Sequence, residues 1–264
     1  MAARVRAPAV AGSFYPATSS LLASQVDQWL EQASACPPPS PAALIVPHAG
    51  YMYSGPVAAS AYACLRALKG RVRHVLLLGP CHFVLLNGLA HPDAEALRTP
   101  LGDVPVDGTL RARAEATPYV TASDLAHRKE HSLEVQLPFL QRALGDFEVL
   151  PLVVGSAPPE EVAEVLDTLW TQDVLPIISS DLSHYLPYEL ARRVDRETAD
   201  HILQLEGPLE DDRACGAAAI NGLLLVAKRR GLNAELLDLR SSGDTAGDKS
   251  EVVGYGAFAF YPRA

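Results

Sequence analysis

Positive charge, cysteine and long apolar runs are all scarce in this 264-residue chain, and each shortage excludes something. Lys and Arg number 22 against 31 Asp and Glu, a formal net charge of -9. Binding nucleic acid requires clustered cations that replace the counterions of the phosphates, so no nucleic-acid partner is expected. The basic clusters Arg71-Val-Arg73 and Lys228-Arg229-Arg230 are short and sit at element ends, where a solvated face or a helix C-terminus accounts for them. The longest apolar stretch, Ala214 to Ala227, is interrupted by Gly216, Asn221 and Gly222. It falls short of the roughly 20 residues that cross a bilayer, so no membrane association is expected. The opening MAARVRAPAVAGSFYP lacks the continuous apolar core of a signal peptide. Cys36, Cys64, Cys81 and Cys215 form no CxxC pair and no framework spacing. A chain of this size does not need disulfides, and a reducing cytoplasm is the expected location.

What is present is a core. Hydrophobic residues make up 48% of the chain, enough for one domain or two closely fused halves, and the 20% that are charged are spread in both signs, which argues against disorder. Cys36-Pro-Pro-Pro-Ser-Pro41 reads as a stiff surface connector. Before it, Leu21, Leu22, Val26, Trp29 and Leu30 recur at helical spacing. After it, three short apolar runs share one grammar. Ala43–Val46 leads into Pro47-His48-Ala-Gly50, His74–Gly79 into Pro80-Cys81-His82, and Val174–Ser179 into Ser180-Asp181-Leu-Ser-His184. Further strands are expected at Phe147–Val154, Ala234–Leu239 and Val252–Tyr261, the last antiparallel or at an edge. Helical patterns cover Gly55–Leu68, Ser132–Leu144, Pro159–Trp170, Tyr188–Leu205 and Asp212–Arg230, with Pro138 kinking or delaying the second. Apolar strands alternating with helices predict an α/β layered fold whose central mixed, largely buried sheet is flanked by helices.

His48, His82 and Asp181 fall just past the ends of three apolar strands, where ligands bind in open α/β sheets. A single histidine there is ordinarily a surface or hydrogen-bonded structural residue; two at the same topological position, each flanked by Gly or Pro, point to a metal or catalytic role. Cys215 reads as lying in the first turn of a helix capped by Asp211 or Asp212, where backbone N–H groups stabilise a thiolate. Its bland alternative is a buried structural cysteine. Imidazole with thiolate suits zinc, iron or copper. Asp181 can orient a histidine or cap the helix near Pro187, and His184 can shuttle protons or simply be exposed. In His127-Arg-Lys-Glu130-His131 the two histidines are four apart and can share a helix face, with Glu130 and His131 near a site mouth, or the stretch is only a polar helix start. His74 and His201 read as ordinary strand-start and helix-surface residues, and His91 as a loop residue.

Several blocks together carry a resemblance. Ala11-Gly-Ser-Phe-Tyr-Pro16, Pro47-His-Ala-Gly-Tyr51, Leu78-Gly-Pro-Cys-His82, Glu130-His-Ser-Leu-Glu-Val-Gln-Leu-Pro138, Ser179-Ser-Asp-Leu-Ser-His184 and Val253-Gly-Tyr255 resemble the Memo family, whose bacterial and archaeal members are called AmmeMemoRadiSam system protein B. The blocks occur in family order across nearly the whole chain, which implies a single domain over 1–264. The family is similar in fold to the LigB-type class III extradiol dioxygenases. The resemblance implies His48, His82 and Cys215 as metal ligands, with Cys215 in place of the dioxygenase carboxylate, His184 as the acid/base residue, and Asp181 and His131 as catalytic neighbours. It implies iron first, with copper or zinc as alternatives, and a functional link to a radical-SAM protein. A thiolate in place of the carboxylate is softer and oxidisable, which puts ring cleavage in doubt. Cys81 beside His82 is inert or adds a second sulfur.

Three functions follow. The first is a metal-dependent redox enzyme acting on an unknown small substrate. The second is a non-catalytic module that binds a peptide or small ligand. The third, weaker, is a metal-independent hydrolase with Cys215 as nucleophile and His184 as base.

Overall fold

The structure, a computed structural model, describes residues 4–34, 36 and 39–263. The chain opens with β1 (Val5–Arg6), α1 (Ser19–Gln32), β2 (Ala43–Val46), α2 (Tyr51–Tyr62) and β3 (His74–Pro80). There follow β4 (Leu89–His91), β5 (Ala96–Thr99), β6 (Gly102–Pro105), α3 (Gly108–Glu115), β7 (Val120–Ala122), α4 (Asp124–Arg128) and α5 (Leu137–Leu144). The remainder is β8 (Glu148–Val154), α6 (Pro159–Leu169), β9 (Val174–Ser179), β10 (His184–Leu186), α7 (Tyr188–Leu203) and α8 (Ala217–Arg229). The chain closes with β11 (Leu232–Ser241), α9 (Ser242–Thr245) and β12 (Val252–Pro262).

Among the described residues, nine strands form one mixed sheet in the order β10-β12-β2-β9-β3-β8-β4-β7, with β11 also paired to β12. Its centre, β2, β9, β3 and β8, is parallel, while β12 and β4 close onto it antiparallel. The strands β1, β5 and β6 make a separate small sheet. The central strands are apolar except at His74 and Glu148, which open β3 and β8, and Ser179, which closes β9, because both faces are covered. Leu44, Val46, Val75 and Leu77 pack with α1, α2 and α5. Their strand neighbours Ala43, Ile45, Leu76 and Leu78 pack with α6, α7 and α8 on the opposite face. Each fully buried aliphatic side chain contributes roughly 1.5–3 kcal/mol, so polar side chains gather at and beyond the strand ends. The predicted layered α/β architecture is the one observed.

Two helix starts differ from expectation, and a third resolves an alternative that the sequence left open. α2 begins at Tyr51, capped by Gly50, and continues into a 3-10 turn over Ala63–Leu68. α5 does start late: a 3-10 turn covers Glu134–Gln136, and Pro138 falls in the first helical turn, where its missing N–H breaks no bond. α8 begins at Ala217 with Gly216 as its cap, so neither Asp211 nor Asp212 caps it and Cys215 lies before the helix.

Two expectations concern the segment around Pro41. Part of the stiff connector, at Pro37 and Pro38, lies outside the described residues. Against the expectation of a chain without disulfides, Cys36 is bonded to Cys64, 28 residues further on, at a Cα–Cα distance of 4.9 Å. The pairing follows from tertiary packing, which returns the segment after α1 to the end of α2; nothing in the cysteine spacing signals it.

Candidate metal centre

β2, β3 and β9 are parallel neighbours, so His48, His82 and Asp181, each two residues beyond a strand end, emerge on one sheet edge. Cys215 comes to the same edge from the turn before α8, where its N–H donates to the Asp181 carbonyl. Gly216 makes that approach feasible, because a Cβ there would lie 2.7 Å from Ser180 Cβ. One ligand atom each from His48, His82 and Cys215 falls within 4.8 Å of the other two. Cys215 Sγ is 3.3 Å from His48 Nε2, close to the separation of about 3.6 Å that zinc-type bond lengths and a tetrahedral angle impose.

Hydrogen bonds fix which nitrogen of each imidazole is free. Ser179 Oγ has one proton and gives it to the Ser132 carbonyl at 2.6 Å. It accepts from Gln136 Nε2 at 2.7 Å, so its 2.9 Å contact with His48 Nδ1 makes that nitrogen a donor. His48 Nε2 then carries the lone pair facing Cys215. Burial, followed by the neighbouring His82 and His131, holds the His48 pKa well below the ordinary imidazole range. The ring is therefore neutral at pH 7.

His82 is fixed in the same manner by Glu130. The carboxylate accepts from His82 N–H at 2.7 Å and from His82 Nδ1–H at 2.9 Å, and from the N–H groups of His131 and Ser132. Burial alone would raise the Glu130 pKa, but the bonds from His82 and Ser132 outweigh it and bring it down to about 2. A charged, fully engaged carboxylate behind an imidazole is the arrangement that orients metal-ligating histidines. Glu130 also groups with His82 and His131 as a metal-capable trio. Because its oxygens are already occupied by N–H donors, His48, His82 and Cys215 are the better set.

The other expected residues line a cavity of about 790 Å³ with these three: His131, Asp181 and His184. The His131 ring stacks on His82, with centroids 4.9 Å apart, and burial lowers its pKa. Asp181 does not cap the helix near Pro187, which has no side-chain cap. Its carboxylate accepts from His48 N–H at 2.7 Å and so fixes the backbone that delivers His48. His184 is half-buried and begins β10, and Tyr185 follows in the left-handed region at φ 56 with its ring exposed. A bulky residue at positive φ is strained, a state that persists mainly where surrounding structure imposes it.

Cys215 departs from expectation. Lying ahead of α8 and half-buried, it has its thiol pKa pushed up to about 12, chiefly by desolvation and then by Asp181. The expected helix-terminal lowering is absent. Coordination of a cation would reverse that preference, since a metal deprotonates a bound thiol outright. His127 and His131 do not share a helix face. α4 ends at Arg128, His127 turns inward to the Ala90 carbonyl at 2.8 Å, and His131 faces the cavity. The Cys81 thiol donates to the Val84 carbonyl at 3.3 Å and belongs to none of the metal-capable groups among the described residues.

Two residues outside the expected set support the site. Buried Glu134 pairs with Arg6 and accepts from the N–H groups of Ala9 and Val10 and from the Tyr15 hydroxyl. This ties down the N-terminal segment, placing Phe14 against His131 at a centroid distance of 4.7 Å. Ser179 is the other. The motif Glu130-His-Ser-Leu-Glu134 contains a signal for Glu134, because a carboxylate amid apolar residues needs a partner, but the partner lies 128 residues away.

Fold and site thus define a layered α/β protein with two histidines and a cysteine gathered at the carboxyl edge of its sheet. The sequence matches the Memo family, described as Memo-like protein, over residues 6–259. The chain belongs to that family. It is 36% identical to a MEMO1 family protein of Sulfolobus acidocaldarius, covering 95% of this chain and 97% of that one. It is 37% identical to MEMO1 family proteins of Pyrobaculum arsenaticum, covering 98% and 99%, and of Archaeoglobus fulgidus, covering 97% and 99%. The fold is similar to the crystal structure of an uncharacterized Escherichia coli K12 protein, JW3007, with a TM-score of 0.53 at 14% identity, covering 82% of this chain and 98% of that one. No helix among the described residues is long and apolar enough to cross a membrane.

Proposed function

We propose that the chain is a metal-dependent redox protein in which His48 Nε2, His82 Nε2 and Cys215 Sγ hold one ion. Iron is the first choice by family resemblance, and copper and zinc suit the same donors. The observation carrying this reading is that both imidazoles are held as Nδ1–H tautomers, by Ser179 and Glu130, so that both lone pairs remain for a ligand. Histidines with only a packing role have no need of that arrangement. When bound, such an ion supplies Lewis acidity and, for iron or copper, a one-electron couple. The surrounding side chains do the rest. His184 takes the proton of a small substrate's hydroxyl group, His131 remains neutral and orients the substrate, and Asp181 keeps the His48 loop in place.

Metal analysis after anaerobic purification tests the reading. His48→Ala and Cys215→Ala are expected to lose the ion, and His184→Ala to retain it. Full retention in the first two variants would remove the shared site. Oxygen uptake over a catechol panel with the iron-loaded protein then asks whether ring-opening chemistry survives the change from carboxylate to thiolate.

One observation favours the ligand-binding module as a second reading. Phe83 and Tyr185, 55% and 71% exposed, stand beside His82 and His184, where a peptide or small ligand could rest on apolar surface. Binding that persists in the metal-free Cys215→Ala variant would select it.

A further inference from the structure

The opposite edge of the same sheet carries a second group of donors. His74 opens β3 and Glu148 opens β8, and the two are partners in the parallel register. Partners in a parallel pair project to the same face. Asp107 comes to them from the turn before α3, where its N–H donates to the Val149 carbonyl at 2.9 Å. One ligand atom from each of His74, Asp107 and Glu148 lies within 4.8 Å of the other two. From His74 to the end of β3 the strand spans about 20 Å, so this group is separate from the His48, His82 and Cys215 site.

We propose that His74, Asp107 and Glu148 form a second metal site, suited to zinc or a similar divalent transition metal, that clamps the amino edge of the sheet to α3. A hydrogen-bonded His–Asp pair beside a helix cap is a common structural device, and three observations go beyond it. Asp107 Oδ1 is committed to the cap, accepting from Thr109 N–H and Leu110 N–H at 2.9 Å each. That leaves Oδ2 aimed at His74 Nδ1 at 2.7 Å, with the carboxylate buried and unable to turn away. The third donor, Glu148, is exposed and free to swing inward. His74 and Glu148 also line a cavity of about 690 Å³ through which the ion and its water ligands can enter.

The charges balance, since two carboxylates neutralise a divalent cation. Imidazole and carboxylate oxygens suit zinc, at bond lengths of about 2.0–2.2 Å. Binding replaces the proton that His74 Nδ1 shares with Asp107. The imidazole takes a proton from water on Nε2 while the Nδ1 proton leaves to water, so the ring stays neutral. The 2.7 Å contact must open by roughly half an ångström to reach the donor spacing of a tetrahedral ion. His74, with its side chain 41% exposed, has room to make that shift.

Zinc titration of the full-length chain against a chromophoric chelator tests the assignment. The parent protein is expected to bind one more equivalent of zinc than His74→Gln or Glu148→Gln, and zinc is expected to raise its unfolding temperature by more than theirs. Asp107→Asn keeps the α3 cap, because the amide oxygen still accepts from Thr109 and Leu110, and is expected to weaken this equivalent at least tenfold while remaining folded. Cys215→Ser is expected to leave it intact, which separates its fate from that of the other site. Equal zinc stoichiometry and affinity in the parent, His74→Gln and Asp107→Asn would overturn the proposal.

Discussion

Glu130 holds His82 twice, through the backbone N–H at 2.7 Å and through Nδ1–H at 2.9 Å, so one carboxylate sets both the position of the loop and the tautomer of its histidine. Replacing Glu130 with Gln substitutes an amide, with its own N–H donors, for a carboxylate that accepts four N–H groups. We expect metal affinity to fall about 10- to 100-fold, the usual effect of losing such a partner. Competitive titration measures it, and an unchanged dissociation constant would show that the His82 tautomer is irrelevant to binding.

Ser179→Ala removes the acceptor of His48 Nδ1–H, leaves the Ser132 carbonyl without its donor, and leaves Gln136 Nε2 with the Pro47 carbonyl as its remaining acceptor. Buried groups stranded in this manner cost about 1–3 kcal/mol. The variant is expected to unfold at lower urea concentration by that margin. Its His48 ring should show a mixture of tautomers in nitrogen-detected NMR, whereas the parent shows Nδ1–H alone.

Metal uptake should strengthen with pH. The half-buried Cys215 thiol, with its pKa pushed up to about 12 by desolvation, is protonated near neutral pH and must lose its proton to bind. His48, held neutral by burial, contributes no proton of its own. Between about pH 7.5 and 9, above the ordinary histidine range, the affinity is expected to rise close to tenfold per pH unit. A flat profile would mean that Cys215 is not a ligand.

Asp195 gives a pH dependence of stability with the opposite sign to that of an ordinary ion-paired carboxylate. It is buried beneath the 181–184 loop, accepts from Ser183 N–H at 3.0 Å, and has its pKa raised to about 6 by desolvation. The folded state therefore binds this proton more tightly than the unfolded chain, whose aspartates titrate near 3.9. Its contribution is most favourable below about pH 4 and is lost as pH rises through 6, by an amount on the order of 2–3 kcal/mol. In the difference between Asp195→Asn and the parent, the variant is expected to gain stability across that window. A difference that does not change from pH 4 to 7 would rule out a raised pKa. Gly254 cannot be enlarged here, because a Cβ would lie 2.0 Å from Asp195 Oδ2, so Gly254→Ala is expected to destabilise the fold.

How much of this was legible beforehand depends on the range of the physics involved. The strands at Ala43–Val46 and Val174–Ser179 and the late start of α5 at Pro138 follow from apolar runs and proline chemistry within a few residues. Family resemblance supplied His48, His82 and Cys215 as a set; their separation in the chain, 167 residues between His48 and Cys215, carries no local signal. The start of α8 differs from expectation because acidic residues before an apolar run look like a cap, whereas the close approach to Ser180 leaves no room for a Cβ at Gly216, where the helix starts. His74 read as an ordinary strand start because Asp107, 33 residues away, and Glu148, 74 residues away by position, meet it only through β3 and β8 pairing.

The order of residues alone dictates the alternation of apolar strands with amphipathic helices, and with it a sheet covered on both faces, because burial of apolar surface depends on local pattern and not on direction. Which nitrogen of each histidine is free, that the Cys215 thiol is desolvated, and that Cys36 meets Cys64 emerge only from the folded packing. Hydrogen bonds, ionisation and covalent pairing act over a few ångströms between groups far apart in the chain, and their outcome exists only once packing has fixed those distances.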